Sequence, residues 1–204
     1  AAELESFYSK IDDSVIVFIN QPEPRGFGDA VLRARPFTDG EPFLVHAGDD
    51  LILSQDASHI RRLTQAFSSL RADVVLLAEE VEDPRPYGVI RAGELMGDVV
   101  RVADIIEKPR VPPSNLAAIA VYAFSPTIYE AIERTEPDGS GEIQLTNAIR
   151  LLVMEGRPVF ALRLGQDERR VDIGTPEGYW RALSETYRAA LEGGRMKNTS
   201  PTVG

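Results

Sequence analysis

Leu116-Ala-Ala-Ile-Ala-Val-Tyr-Ala-Phe124 is the longest uninterrupted apolar run in the chain, and Ser125-Pro126 follows it directly. A short apolar run cut off by a turn signal predicts a strand buried on both faces. Ser125 then offers an N-cap, and Pro126 has the fixed φ that suits a first helical position, so a helix is predicted to about Arg134. Strand, sharp turn and helix in succession is the unit from which α/β domains are assembled.

The same alternation continues outward in both directions. Towards the N-terminus, Ser14–Ile19, Phe43–His46 and Asp73–Ala78 read as strands. Gln21–Gly28 reads as a Pro/Gly-punctuated loop before a helix from about Asp29 to Arg35. Ile60, Leu63, Phe67 and Leu70 have helical spacing and predict an amphipathic helix over about Asp56–Arg71. Gly88–Ile90 and Val99–Ile106 are shorter strands flanking a turn at Gly97-Asp98. Towards the C-terminus come a loop at Pro137–Gly141, a helix over Glu142–Glu155 closed by Gly156, and a strand at Val159–Leu164. A last helix begins at the cap-then-proline pair Thr175-Pro176 and runs to about Glu192. The pattern predicts an α/β sandwich around a mixed, mostly parallel sheet flanked by helices, with a small antiparallel insertion near Gly88–Ile106. It is expected to form a single domain over residues 1–192, with 193–204 as a flexible tail.

Composition narrows the function. The chain has 204 residues, 22 Lys+Arg against 32 Asp+Glu, and a net charge of −10. Such an acidic balance disfavours nucleic-acid wrapping and polybasic membrane docking, and no apolar run is long enough to cross a bilayer as a helix. No cysteine is present, which excludes a disulfide scaffold, a zinc-thiolate site and a cysteine nucleophile. With His46 and His59 alone, a multi-histidine metal cage is excluded too. A cytoplasmic location is the expectation.

Four clusters fall where strands end or turn, which is where ligands collect in open α/β sheets. In Gln21-Pro-Glu-Pro-Arg-Gly26-Phe-Gly28, glycines let the backbone approach a ring or a phosphate, and Gln21 offers a donor and an acceptor to a base edge. Equally, this is a Pro/Gly turn with a surface glutamine. Gly48-Asp49-Asp50 follows a strand, and a carboxylate there suits Mg²⁺, which prefers one or two carboxylates plus phosphate oxygens. Its alternative is an aspartate that caps a turn. Glu107-Lys108-Pro109 places a carboxylate for sugar hydroxyls beside a point charge for phosphate, or else a solvated surface pair. Arg169-Arg170-Val171-Asp172-Ile173-Gly174 offers Asp172 as a second metal ligand or as a residue shaping the next helix; its arginines fit neutralisation of an acidic surface better than phosphate binding. Two carboxylates, a magnesium ion, a base-reading glutamine and a lysine fit nucleotidyl transfer, a reaction that needs alignment and charge neutralisation more than a protein nucleophile.

Across about Ile16 to Leu183 these clusters stand in one order with Tyr87-Gly88-Val89, Pro113-Ser114-Asn115-Leu116-Ala117 and Gly141-Glu142-Ile143-Gln144-Leu145-Thr146-Asn147-Ala148-Ile149. With this set the chain resembles the nucleoside-triphosphate transferases that make nucleotide sugars, most of all the bacterial-type UTP–glucose-1-phosphate uridylyltransferases. The resemblance implies a Rossmann-like nucleotidyltransferase sandwich. It implies in-line attack of glucose 1-phosphate on the α-phosphate of UTP, with pyrophosphate leaving. By position, Gln21 and Gly26 would bind uracil, Asp49 and Asp172 would hold Mg²⁺, and Gly88 would let backbone reach the sugar. Glu107 would hold sugar hydroxyls, and Lys108 would neutralise the sugar phosphate. Asp49, Lys108 and Asp172 are thus the implied catalytic set, and a homo-oligomer is implied as well.

The chain departs from that pattern in places. Arg25 stands where the family usually has an apolar residue, Asp29 where it often has His or Thr, and Ala120 where a Gly is common. Family members also begin with a strand and a Gly-rich loop ending in an Arg, then a Pro-Lys pair, which together bind the triphosphate. Nothing of that kind precedes Ser14. The expectation is a chain that is the later part of a longer polypeptide. The alternative is a non-catalytic nucleotide-sugar-binding or regulatory subunit of the same fold, or a relative using another sugar 1-phosphate or dTTP.

Overall fold

A computed structural model describes residues 2–38 and 40–197. The centre of the molecule is a six-stranded sheet: β1 (Phe43–His46), β3 (Val74–Glu80), β4 (Gly88–Met96), β5 (Val99–Glu107), β6 (Leu116–Phe124) and β7 (Val159–Arg163). Their spatial order is β1-β6-β3-β7-β5-β4. Beside it, β2 (Asp50–Leu53) and β8 (Arg169–Asp172) pair antiparallel as a separate two-stranded ribbon.

The sheet is mixed, as expected, but not mostly parallel. Only β3 and β7 run parallel among the described pairings, and every other neighbour is antiparallel. Short connections are the reason. β4, β5 and β6 follow one another through the turn at Gly97 and the loop 108–115, too little chain for a parallel crossover. Those strands are therefore no insertion beside the sheet. They are part of it, with β5 hydrogen-bonded to β7.

β3 shows why the core sits where it does. Val74, Leu76 and Ala78 face one apolar cluster with α2 (Phe27–Leu32), α5 (Thr127–Glu133) and α6 (Leu145–Met154). Val75 and Leu77 face a second cluster under α4 (Ser58–Ser69), which contributes Leu63 and Ala66. All five β3 side chains are fully buried, so a continuous apolar run here means a strand covered on both faces.

Several local expectations change. Ser14–Ile19 forms no strand: it follows α1 (Ala2–Asp12) as an irregular segment with no ladder partner among the described residues, and its apolar side chains are exposed. The helix expected over about Asp29–Arg35 begins at Phe27 as α2 and ends at Leu32, and α3 (Arg35–Thr38) follows after a break. Ser125 does not cap α5. Its hydroxyl bonds Asp73 and Thr127 instead, tying the helix start to the head of β3. The helix expected from Glu142 begins at Leu145, because residues 138–144 are bound up in a loop of their own. Thr175 does cap α7 (Pro176–Lys197), its hydroxyl accepting the Gly178 N–H at 3.0 Å. That helix includes residues 193–197, while 198–204 of the expected tail lie outside the described residues. No helix among the described residues is long and apolar enough to cross a membrane.

Candidate active site

An irregularity in β6 sets up the acidic end of the site. Leu76 pairs with Tyr122 and the next residue, Leu77, with Ile119, so Ala120 and Val121 are extra in β6. A bulge of this kind frees backbone groups from the ladder. Asp50 takes the Ala120 N–H at 3.0 Å, and the Ala47 N–H donates to the Ala120 carbonyl at 2.8 Å. Asp50 is thereby buried, and its other oxygen accepts from the Arg170 Nε. Arg170 also donates to Glu79 at the end of β3 (3.1 Å) and lies under the Tyr87 ring, 4.9 Å from its centre. Of the two neighbouring aspartates, Asp50 is the structural one.

Asp49 is left exposed beside it, one residue before the ribbon whose terminal pair is Asp50 and Asp172. The Ile173 N–H donates to the Asp49 carbonyl at 2.8 Å and fixes the start of β2 to the end of β8. A β-carbon built on Gly174 would stand 3.2 Å from Asp172 Oδ1 and 3.5 Å from Asp49 Oδ2. Both carboxylates thus converge on one point, which any side chain at 174 would crowd. No group of three or more His, Cys, Asp or Glu that could hold a metal occurs among the described residues. Asp172 Oδ1 also accepts the Gly174 N–H at 2.8 Å, which holds that carboxylate in place. Two exposed carboxylates side by side fit Mg²⁺, whose remaining ligands are phosphate oxygens and water.

Asp49, Asp172, Gly88, Glu107 and Lys108 all line one cavity of about 290 Å³, floored by Ala118, Ala120 and Tyr122. Gly88 pairs with Glu107 across the β4–β5 ladder. A β-carbon at 88 would stand 3.0 Å from Thr146 Oγ1, so the glycine admits the first turn of α6 to the cavity wall. Lys108 holds a left-handed backbone (φ +40°), uncommon for a side-chain-bearing residue, and its N–H donates to the Tyr87 carbonyl at 3.0 Å. Strain of that kind concentrates at working sites. Its Nζ stands exposed, 3.6 Å from the half-buried Glu107 carboxylate. Burial pushes the Tyr122 hydroxyl pKa up, assisted by the Glu107 and Asp50 charges, so it stays protonated. A larger, more open groove of about 440 Å³ between α5 and α6 contains none of these residues, and its arginines 134 and 150 are paired with Glu155 and Asp104.

Gln21 and Gly26 adjoin this cavity through Phe27 but do not themselves line it. The glycines of their loop have a reason inside the protein. A β-carbon on Gly26 or Gly28 would fall 2.8 or 2.7 Å from the Ile143 backbone, and Gly28 N–H donates to Ile143 O at 2.8 Å. The loop therefore lies flat against residues 138–144. Asp138 organises that partner loop: the Ser140 hydroxyl, the Gln144 amide and the Ser140 and Glu142 N–H groups hold its carboxyl far below the usual range.

Sequence reasoning missed Asp50 and Arg170. Arg170 is no surface counter-charge, since only a tenth of its side chain is exposed. One signal existed: in a strand, residues 170 and 172 share a face, so an Arg two places before a site Asp points the same way.

A cavity at the strand ends of an α/β sheet, with two converging carboxylates and a strained lysine, marks the class of α/β domains that handle phosphorylated small molecules. The chain belongs to the nucleotidyl transferase family, whose profile matches residues 3–188. It is 34% identical over 189 residues to a UTP–glucose-1-phosphate uridylyltransferase of Pseudomonas aeruginosa, covering 91% of this chain and 67% of that protein. It is 36% identical over 180 residues to a putative UTP–glucose-1-phosphate uridylyltransferase of Bacillus subtilis, covering 87% and 65%. The fold is similar to that of a UDP-glucose pyrophosphorylase solved with UDP-glucose, at TM-score 0.84 and 32% identity over 91% of this chain and 71% of that one. The chain thus spans about two thirds of the length of these relatives.

Proposed function

We propose that the chain carries the sugar-phosphate and metal half of a uridylyltransferase site, where UTP and glucose 1-phosphate give UDP-glucose and pyrophosphate. The observation that carries this reading is the single cavity shared by Asp49, Asp172, Gly88, Glu107 and Lys108. An oxygen of the glucose 1-phosphate phosphate group attacks the α-phosphorus of UTP in line. The new P–O bond forms as the α–β P–O bond breaks, and pyrophosphate leaves with the bonding electrons. Lys108 meets the sugar phosphate as a compact cation and Glu107 accepts from sugar hydroxyls. The Gly88 backbone approaches the sugar ring, and the Gln21–Gly26 loop meets the base. Asp49 and Asp172 would hold Mg²⁺, which supplies charge neutralisation on the phosphates when bound. The reading includes a homo-oligomer, a cytoplasmic setting and a single domain over residues 1–192.

A second reading has its own observation. The cavity's cations among the described residues are Lys108 and Arg170, and Arg170 is already ion-paired with Asp50 and Glu79. A nucleotide sugar needs less positive charge than a triphosphate, which favours binding without turnover.

Thermal denaturation with Mg²⁺, with and without UDP-glucose, combined with pyrophosphate release from UTP and glucose 1-phosphate, tests both. Saturating UDP-glucose stabilises a binding-competent fold by about 2.7 kcal/mol at a hundredfold excess over Kd. Asp49→Ala and Asp172→Ala are expected to lower Mg²⁺-dependent turnover roughly 100- to 1,000-fold with unchanged melting. Near-normal turnover in either variant removes that residue from the metal site. A UDP-glucose shift with no turnover in the unsubstituted protein selects the binding reading.

A further inference from the structure

Just after the loop assigned to the base stands a buried charged group that the reaction does not use. Asp29 is 3% exposed, on the first turn of α2, and too deep to touch a ligand. Its Oδ2 accepts from Gln21 Nε2 at 2.8 Å, and the same Nε2 donates to the Gly26 carbonyl at 3.1 Å. Arg33 and Arg25 stand 3.5 and 3.9 Å from its other oxygen and favour the ionised form.

We propose that Asp29 is a positioning residue that sets base specificity: it turns the Gln21 amide so that only a carbonyl oxygen is offered to the base. The proposal rests on the reading of residues 21–28 as the base site. An ionised carboxylate and a backbone carbonyl are acceptors only, so the group between them must be the NH₂ of Gln21. Turned over, Gln21 would place its oxygen against two acceptors and leave the buried Asp29 without its donor. Both N–H bonds of Nε2 are therefore used inside the protein. Oε1 accepts no hydrogen bond from the described residues and is the atom left to the ligand.

An acceptor in a fixed orientation discriminates between pyrimidines. Uracil presents N3–H, a donor, to it. Cytosine presents a lone pair at N3, which repels the Gln21 oxygen and leaves two acceptors unmatched. In the sequence, Gln21 looked able to offer donor and acceptor alike; Asp29 removes the donor. The Gln21 hydrogen bond, with Arg33 and Arg25 acting against the cost of burial, holds the Asp29 carboxyl below the usual range, in keeping with a lock that stays charged.

Calorimetric titration of the protein with UDP-glucose and with CDP-glucose, both with Mg²⁺, isolates the base because the sugar and phosphates are the same. The unsubstituted protein is expected to prefer UDP-glucose. In Asp29→Asn the new amide can donate as well as accept, so the Gly26 carbonyl alone still favours the Gln21 NH₂, and Gln21 can turn and offer N–H to cytosine N3. The preference should fall roughly tenfold or more, partly through tighter CDP-glucose binding. Asp29→Ser, a smaller group that can donate or accept, should move the ratio the same way. An unchanged ratio in both variants overturns the proposal, as does an equal loss for both ligands, which would make Asp29 a packing residue only. Binding of neither ligand by the unsubstituted protein refutes the base-site reading itself and takes this proposal with it.

Discussion

Val74-Val-Leu-Leu77 and Val15-Ile-Val-Phe-Ile19 are close to interchangeable as sequence, yet they have opposite fates. In β3 every one of the four side chains is at 0% exposure, whereas in the second stretch exposure runs from 42% at Ile19 to 95% at Phe18. Composition does not separate them; neighbours do. β3 has β6 on one edge, β7 on the other, and helices over both faces. The 14–19 segment has no ladder among the described residues. An apolar run thus states a demand for pairing and cover, and only the rest of the fold can meet it. The candidate site stands where the demand is met: Glu79, at the end of β3, is where Arg170 anchors the ribbon that carries Asp172.

The largest expected effect is therefore at that anchor. Arg170→Met keeps the volume and removes the charge, leaving Asp50 buried against the β6 bulge with no cation and Glu79 unpaired. Breaking one side of a buried ion pair costs about 3–5 kcal/mol. Urea unfolding should show a loss of this size, and Arg170→Lys should recover part of it, because an ammonium cannot reproduce the guanidinium fork. A loss below about 1 kcal/mol would mean that the ribbon is held some other way, and would weaken the contrast between the two regions.

Acid should act on the well-packed region first. The Gln21 hydrogen bond, against the cost of burial and with the help of Arg33 and Arg25, holds the Asp29 carboxyl low. Burial works to raise Asp104, but the Arg150 hydrogen bonds and charge outweigh it. Burial likewise opposes, and the Gly165 N–H, Ser58 and Arg62 together overcome, the tendency of Glu168 to protonate. Each carboxyl has a lower pKa folded than unfolded, so its stabilisation is present above about pH 4 and is lost as pH falls through the folded value. His59 adds to the trend earlier: burial keeps its imidazole neutral, so unfolding gains a proton once pH drops through about 6.5. Melting midpoints should fall gently from pH 6.5 and steeply below pH 4. Residues 14–19 contain no titratable side chain, so a flat profile would show that these contacts do not form in solution.

Much of the fold could be read from the sequence, and the part that could not has a common cause. β1, β3, β6 and β7 were legible as strands because each is a short apolar run, although the same pattern at residues 14–19 found no partner. Asp50–Leu53 and Arg169–Asp172 were not, because a ribbon of mixed polarity is defined by pairing across more than a hundred residues. Strand direction failed for the same reason: alternation of strands and helices suggested crossovers, while the short links between β4, β5 and β6 impose antiparallel neighbours. Of the residues that line the cavity, Asp49, Asp172, Glu107 and Lys108 were legible as unusual residues where strands end or turn, and Gly88 through the family resemblance alone. Asp50, Arg170 and Asp29 were not, since each acts on a neighbour: on the Ala120 bulge, on Glu79 and on the Gln21 amide. Local pattern records what a residue is, and long-range contact decides what it holds in place.

The smallest expected effect sharpens the comparison most directly. Phe18→Ser removes an aromatic ring that is 95% exposed and touches little. A substitution at such a position usually changes stability by no more than about 0.5 kcal/mol. The matching change in β3, Leu76→Ala, removes a fully buried side chain and is expected to cost about 2–5 kcal/mol. Two urea curves on the same chain would give the pair of values under identical conditions. Exposed apolar segments with unpaired backbone also invite association between chains, so Phe18→Ser should reduce light scattering at high concentration while the midpoint holds. A Phe18→Ser loss above about 1 kcal/mol would mean that the segment is covered in solution. The two runs would then differ in which partner satisfies them, and no longer in whether one does.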